Sequence, residues 1–368
     1  MVIRSIKIIN MRQKVFKILK YTFLGALTLL IIFLVYNYDS TIYAYRQARG
    51  QLKIITNTRT VSEVLADKTF PDSLKTSIRL IQAIKQFAVD SLGLNPSKNY
   101  TTFYDQHQKP ILWVMTACEP FELNAKKWHF PIIGTFSYKG HFEKNIADNE
   151  ISELKKQGFD TQLNEVSAWS TLGYLKDPIL SSMLERSEGR LAALIIHELT
   201  HGTLFVKNNL EFNENLADFV GDYGAVRFLE VKFGKNSKEL ERYQFSKKYN
   251  DAYSQHLVRG AKKLDSMYRI FPEKLAIENK KSQKLALILK IINSSDTLLS
   301  GSFEKRLISR KKWSLNDNNL PNNAYFIGYL TYQSKQNQFK NEFKDKFKQD
   351  FNKYLKYLKQ EYPSSIVF

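Results

Sequence analysis

The amino-acid sequence predicts a predominantly helical α+β chain: an N-terminal transmembrane helix, a small antiparallel sheet, and a helical region after it. Three observations predict this. Tyr21 to Tyr38 (YTFLGALTLLIIFLVYNY) carries no charge and approaches the ~20 residues a bilayer-spanning helix needs. Two short β-branched and aromatic runs, ILWVMTA at 111–117 and FPIIGTFSYKGHF at 130–142, are the marks of strands, the second broken by Pro131, Gly134 and Gly140. From about residue 183 onward the apolar residues recur almost wholly at helical spacing.

Taken in order, the first twenty positions hold Arg4, Lys7, Arg12, Lys14, Lys17 and Lys20 and no acid, against a net charge of +2 in Asp39 to Lys53. That imbalance keeps the N-terminus inside and sends the chain after Asp39 across the membrane. Tyr21, Tyr36 and Tyr38 sit where interfacial aromatics belong. A cleaved signal peptide is the competing reading, but Ile42-Tyr43-Ala44 is a poor small-residue cleavage site and the apolar core exceeds the usual ~7 to 15 residues. The expected organisation is a basic cytoplasmic tail at 1–20, a single span at 21–38, and one exported domain at 39–368, periplasmic or extracellular on the cytoplasmic membrane.

Within that domain, Tyr43, Ala44, Ala48 and Leu52, then Leu74, Ile78, Ile81, Ile84 and Phe87, predict two amphipathic helices separated near Pro71. After the strands at 111–117 and 130–142 come a helix at about 146–157 and a further strand near 160–169, completing the small sheet. Near the C-terminus, Phe339, Phe343, Phe347 and Phe351 at four-residue spacing predict one long core-packing helix.

Composition limits the functions. The 55 Lys and Arg exceed 36 Asp and Glu by 19, yet no RNP-type aromatic signature, zinc-finger spacing or glycine loop accompanies that charge, so no nucleic-acid partner is expected. The lone Cys118 can form no intrachain disulfide and no thiolate cage, and reads as a small buried hydrophobe.

The chemistry concentrates in LAALIIHELTHGTLFVKNNLEFNENLADFVG, residues 191–221. On a helix His197 and His201, at i and i+4, project from one face and can share one ion. Zn²⁺ suits two imidazoles, and a catalytic site adds a third protein ligand while leaving a position for water. Glu198 is placed to act as general base on that water. Six histidines in 368 residues yield such an HExxH by chance about 0.004 times per chain, so coincidence is a minor rival. The third ligand is expected from FNENLADFVGDYG, where a second helix beginning near Asn213 puts Glu214 and Asp218 on one face. Glu214 is the first choice and Glu211 the alternative. Asp218, one turn on, is placed to accept the far N–H of a ligating histidine.

At these residues the sequence resembles a gluzincin metallopeptidase: HELTH followed by NENLAD is similar to the HExxH and NExx(S/A)D pair of the thermolysin-like clan, with a gap of twelve residues between His201 and Glu214 that is shorter than in thermolysin. It resembles more closely the bacterial putative aminopeptidase family. The likeness runs through AYRQARGQL (44–52), FPIIGTFSYKGHF (130–142), SAWSTLGYLKDPILSSML (167–184), LAALIIHELTHGTLFVK (191–207), FNENLADFVGDYGA (212–225) and NNAYFIGYLTY (322–332). The resemblance implies a zincin-like helical region and a zinc-dependent peptidase acting on peptide substrates, with one Zn²⁺ ion, His197, His201 and Glu214 as ligands, and Glu198 as catalyst. Many relatives resemble lipoproteins; no lipobox occurs here, and the apolar helix takes the place of the lipid.

An aminopeptidase must also grip a free ammonium group, for which Glu143, Glu165 and Asp177 are equal candidates. The developing oxyanion needs a donor. Tyr174 stands first, because its STLGYLKDP segment lies just before the motif helix; Tyr138, Tyr332 and His256 follow. The stretch EVSAWSTLG could offer an edge strand on which an extended peptide adds. Two rival functions are a zinc amidase acting on a cell-wall or other non-peptide amide, and a membrane protein that binds peptides without turnover.

Overall fold

The computed structural model describes residues 2–130, 134–166, 176–207, 209–298, 314, 320–332 and 336–362. The chain divides into two compact units, one comprising Met1–Lys53 with His129–Thr135 and the other the remainder.

In the first unit, α1 (Val2–Tyr36) contains a stretch, Lys14–Tyr36, of mean hydropathy 2.3 with none of its apolar window buried. It is the one candidate membrane span among the described residues. Its two threonines bond within the helix: Thr22 donates to the carbonyl of Ile18 at 3.0 Å and Thr28 to that of Leu24 at 2.9 Å. Helix α2 (Tyr38–Thr56) follows at once, and Tyr43 stacks on Phe130 with centroids 4.9 Å apart.

The second unit is α+β and mostly helical. Strands β1 (Arg59–Thr60), β2 (Thr102–Tyr104), β3 (Leu112–Cys118), β6 (Lys139–His141), β7 (Asp160–Val166) and β8 (Ile179–Leu180) make its short sheets, while β4 (Trp128–Phe130) and β5 (Gly134–Phe136) pair with each other and have most of their residues in the first unit. The predicted antiparallel sheet is β6-β3-β7, in register from Leu112↔Val166 to Cys118↔Asp160. Helix α5 (Lys144–Lys156) buries Ala147, Ile151 and Leu154. The described part of the predicted 160–169 strand ends at Val166. A second sheet, β1-β2-β8, pairs β2 with β8 in parallel, which no sequence feature anticipated: strands of two and three residues carry no legible period.

Helices α3 (Val61–Ala66) and α4 (Asp72–Asp90) lie between β1 and β2. On α4, Ile78, Ile81 and Ile84 are fully buried, the three-residue spacing predicted for a core face. They share one core with α6 (Glu188–His201), α7 (Leu210–Phe233) and the C-terminal helices. A second core joins α8 (Lys238–Arg269), α9 (Ile277–Asn293) and α10 (Asn323–Tyr332) through Tyr253, Leu257, Leu264, Ile288 and Phe326.

The C-terminal phenylalanine run is not one helix. It is divided between α11 (Gln336–Asp345) and α12 (Phe351–Glu361) by a turn in which Lys348 and Gln349 adopt φ of 49° and 65°. The Asp350 side chain then accepts from Lys353 N at 3.1 Å and starts a new helix. Four-residue spacing continues through the turn because Phe343, Phe347 and Phe351 still contact the same aromatic cluster, around Tyr354 and Tyr223.

What positions the site is the α6–α7 pair. At Gly221 of α7 an added Cβ would stand 2.7 Å from the carbonyl oxygen of Ala193 and 3.2 Å from His197 Cβ, so glycine alone permits this approach. The turn between the helices is clamped by Asn213, buried at 1 % exposure, which accepts from Val206 N at 2.8 Å and donates to Val206 O at 2.9 Å. Asn209 caps α7 by accepting from Phe212 N at 3.2 Å, so the helix begins slightly earlier than the sequence suggested.

Candidate metal centre

Helix α6 buries Leu191, Ala192, Ile195, Ile196 and Leu199 in the core, which leaves the stripe through His197 and His201 facing α7. The two imidazoles meet edge to face, with Nε2 atoms 3.2 Å apart. From α7, Glu214 brings one carboxylate oxygen to 3.5 Å from His197 Nε2 and the other to 3.5 Å from His201 Nε2. Ligand atoms at about 2.0 to 2.1 Å from a tetrahedral cation stand about 3.3 to 3.4 Å from one another. The observed edges of 3.2, 3.5 and 3.5 Å fit that figure, so this cluster could hold a metal ion. Its donors, two imidazole nitrogens and a carboxylate oxygen with no thiolate, suit Zn²⁺.

The electrostatics call for a cation at that point. Burial, with the charge of the neighbouring His197, pushes His201 down to about 4. Burial also acts to discharge His197, but the Asp218 and Glu214 carboxylates outweigh it and raise its pKa well above the usual imidazole range. Glu214 is held below its ordinary value despite burial, chiefly by its hydrogen bond with His197. Two carboxylates thus gather positive charge onto one buried imidazole, the place a metal would take over by displacing the proton.

Asp218 Oδ1 is 2.9 Å from His197 Nδ1, an arrangement that fixes the ring with Nε2 toward His201 and Glu214. Among the described residues, His201 Nδ1 has no such partner. Glu198, next to His197, lines a cavity of about 310 Å³ together with His197, Asp218, Asp222, Arg186 and Arg190. Asp222, on α7, is bound to Tyr243 Oη at 2.6 Å and to Lys247 at 2.8 Å, so it serves the contact with α8, not the centre. The alternative ligand Glu211 is not part of the cluster.

Of the proposed oxyanion donors, Tyr174 lies outside the described residues, as does EVSAWSTLG beyond Val166. Tyr138, just before β6, is the one that feels the Glu214 charge. Burial and the Glu214 charge beside it both raise its pKa, which keeps its hydroxyl protonated as a donor. His256 is engaged elsewhere, with Nε2 2.7 Å from the Ile291 carbonyl oxygen, and the Tyr332 side chain is outside the described set. Among the candidates for an ammonium group, Asp177 is removed: it is 1 % exposed and its carboxylate accepts from Asn99 Nδ2 at 3.2 Å. Glu165 lines a separate cavity of about 770 Å³, and Glu143 sits exposed ahead of α5.

Sequence reasoning missed Arg186 and Arg190 at the cavity. Arg190 was legible, because it lies seven residues before His197 and therefore nearly on its helix face. Arg186 precedes the helix and had no periodic signal.

Compared with known families, residues 42–362 match the family model described as putative aminopeptidase. No curated protein and no solved structure matches the chain.

Proposed function

The chain belongs to the putative aminopeptidase family, and on that premise we propose that it is a zinc-dependent, gluzincin-type peptidase tethered to the cytoplasmic membrane by α1. The observation that carries the proposal is the triangle of His197, His201 and Glu214, whose edges match the coordination shell of one small cation. A Zn²⁺ ion held there supplies Lewis acidity and lowers the pKa of water to about 7.

The residues of the chain do the rest. Glu198 removes the proton of the attacking water and hands it to the nitrogen of the departing amine. Asp218 keeps His197 in the tautomer that presents Nε2 to the ion. Tyr138 donates its hydroxyl to the oxygen on which negative charge develops. The basic residues ahead of the apolar stretch orient the span so that the catalytic unit faces the outer side.

The test is hydrolysis of a peptide library by the purified full chain in detergent, with cut sites mapped, with chelator, and after Zn²⁺ is restored. Cleavage is expected to vanish with chelator and return with Zn²⁺, and Glu198→Gln is expected to lower the rate by about 10²- to 10⁴-fold. Cleavage that persists without metal, or an undiminished Glu198→Gln enzyme, refutes the proposal. Products released one residue at a time from the N-terminus support aminopeptidase action, whereas hydrolysis confined to non-peptide amides favours the amidase.

A further inference from the structure

Helix α1 runs into α2 through Asn37, whose N–H bonds to Phe33 O at 3.0 Å and whose carbonyl accepts from Thr41 N at 2.9 Å. Across that joint the Thr41 hydroxyl donates to Leu34 O at 3.1 Å. In a straight helix, residues seven apart lie about 10.5 Å from each other along the axis, more than a hydroxyl and a carbonyl reaching toward one another can close. The rod is therefore bent at Asn37. Side chains that insert into the carbonyl ladder bend helices, and Asn37 Nδ2 adds a second insertion by donating to Phe33 O at 2.9 Å. Residues seven apart share a helix face to within about 20°, so the bond from Thr41 to Leu34 closes the side it lies on, the inside of the bend.

From Thr41 the inside face continues along α2 through Tyr45, Ala48 and Leu52, at steps of four, three and four residues. Tyr45 is 62 % exposed and Leu52 61 %, and Ala48 is exposed between them. The exposed cations Arg49 and Lys53 flank this line, whereas Asp39, the one acid of α2, lies about 160° round the helix from Thr41. Protein covers the other side. Tyr43, also about 160° from Thr41, stacks on Phe130.

The bend stands where the apolar run ends. From Tyr21 to Tyr36 the charge-free helix has 16 residues, about 24 Å in length against ~30 Å of hydrocarbon, and a span that short draws its flanks toward the bilayer. With α1 crossing the membrane, the inside of the bend faces the lipid surface around it. A tyrosine and a leucine beside two cations, with no acid on that side, suit the boundary between acyl chains and headgroups: the ring sits at headgroup level and the cations reach phosphate.

Resting on the reading of α1 as a membrane span, we propose that α2 is an interfacial helix. Its Thr41, Tyr45, Ala48 and Leu52 face lies on the headgroups of the leaflet from which α1 emerges, and Arg49 and Lys53 bind the phosphates of anionic phospholipid.

The test places an environment-sensitive fluorophore on Tyr45→Cys, Leu52→Cys or Arg46→Cys in the full-length chain. All three sites are exposed, so the label leaves the core undisturbed, and Arg46, about 140° round from Thr41, is the control. The chain is reconstituted into phosphatidylcholine vesicles with or without about 30 % phosphatidylglycerol. Lipid spin-labelled near the headgroup is expected to quench the Tyr45 and Leu52 probes at least about twofold more than the Arg46 probe. Arg49→Gln should shift the Leu52 probe toward the unquenched state about fivefold in anionic vesicles and hardly at all in phosphatidylcholine alone. Equal quenching of the three probes, in vesicles that keep the chain through an alkaline carbonate wash, overturns the proposal and leaves the span intact. Release of the chain by carbonate overturns both. Quenching of the Tyr45 and Leu52 probes that falls as the protein-to-lipid ratio rises assigns the face to a second copy of the chain, and overturns the proposal too.

Discussion

Replacing Gly221 with alanine tests how the fold makes the centre. The new Cβ would lie 2.7 Å from the carbonyl oxygen of Ala193, short of the ordinary contact of 3.4 Å by 3.4 − 2.7 = 0.7 Å, and the obstacle is backbone. Helix propensity favours alanine by about 0.8 to 1 kcal/mol, whereas overpacking costs about 1 to 3 kcal/mol. The net is a destabilisation of about 1 kcal/mol, relieved by moving α7 off α6. Such a shift, about half an ångström, widens the 3.5 Å edges from Glu214 to the imidazoles, while metal–ligand bonds tolerate only about ±0.2 Å. Zn²⁺ affinity, read by competition with a chromogenic chelator, is expected to fall at least tenfold. Gly224→Ala is the control: its Cβ would meet the side-chain ends of Ile196 and Leu92 at 2.8 Å, which can turn aside. A Gly221→Ala chain that binds Zn²⁺ as tightly as the parent, or a Gly224→Ala chain equally impaired, refutes the reasoning.

Asp218→Asn should weaken Zn²⁺ binding by about 10- to 100-fold by replacing the charged acceptor at His197 Nδ1 with a neutral amide, measured in the same competition. Tyr138→Phe should lower kcat about 10- to 100-fold with little change in KM or metal content, since the hydroxyl acts on charge that exists only in the transition state. Glu150 gives a pH dependence away from the centre. Burial opposes its charge, but His141 and Lys139 overcome that and hold it at about 2, against 4.5 when unfolded. A depressed carboxylate adds stability above the unfolded value and loses it as pH falls from 4.5 toward 2. Discounted for its partial exposure, the contribution is about 1 to 2 kcal/mol. Urea unfolding of Glu150→Gln should therefore show a lower midpoint than the parent at pH 7 and converge with it near pH 2 to 3.

The centre was legible because its signal is local. His197, Glu198 and His201 share one helix with a regular apolar face, and Glu214 and Asp218 share the next, so two periodicities specify most of the geometry. What brings those helices together was not legible. Gly221 matters only through its distance from Ala193 and His197, and nothing in the run DFVGDYG distinguishes that glycine from a weak point in a helix. The same limit explains the parallel β2–β8 pairing, whose partners lie more than seventy residues apart, and the influence of the Glu214 charge on Tyr138. The aromatic run at 339–351 shows the opposite failure. Its period persisted through the turn at Lys348 and Gln349 because both helices feed one core, so regular burial was mistaken for a continuous helix.

The central claim is that His197, His201 and Glu214 together hold one catalytic metal ion, and elemental analysis of the purified full chain tests it most directly. One equivalent of zinc per chain in the parent, lost on dialysis from Glu214→Ala but retained by Glu211→Ala, is the predicted result. A parent chain without stoichiometric metal, or a Glu214→Ala chain that keeps it, would contradict the account.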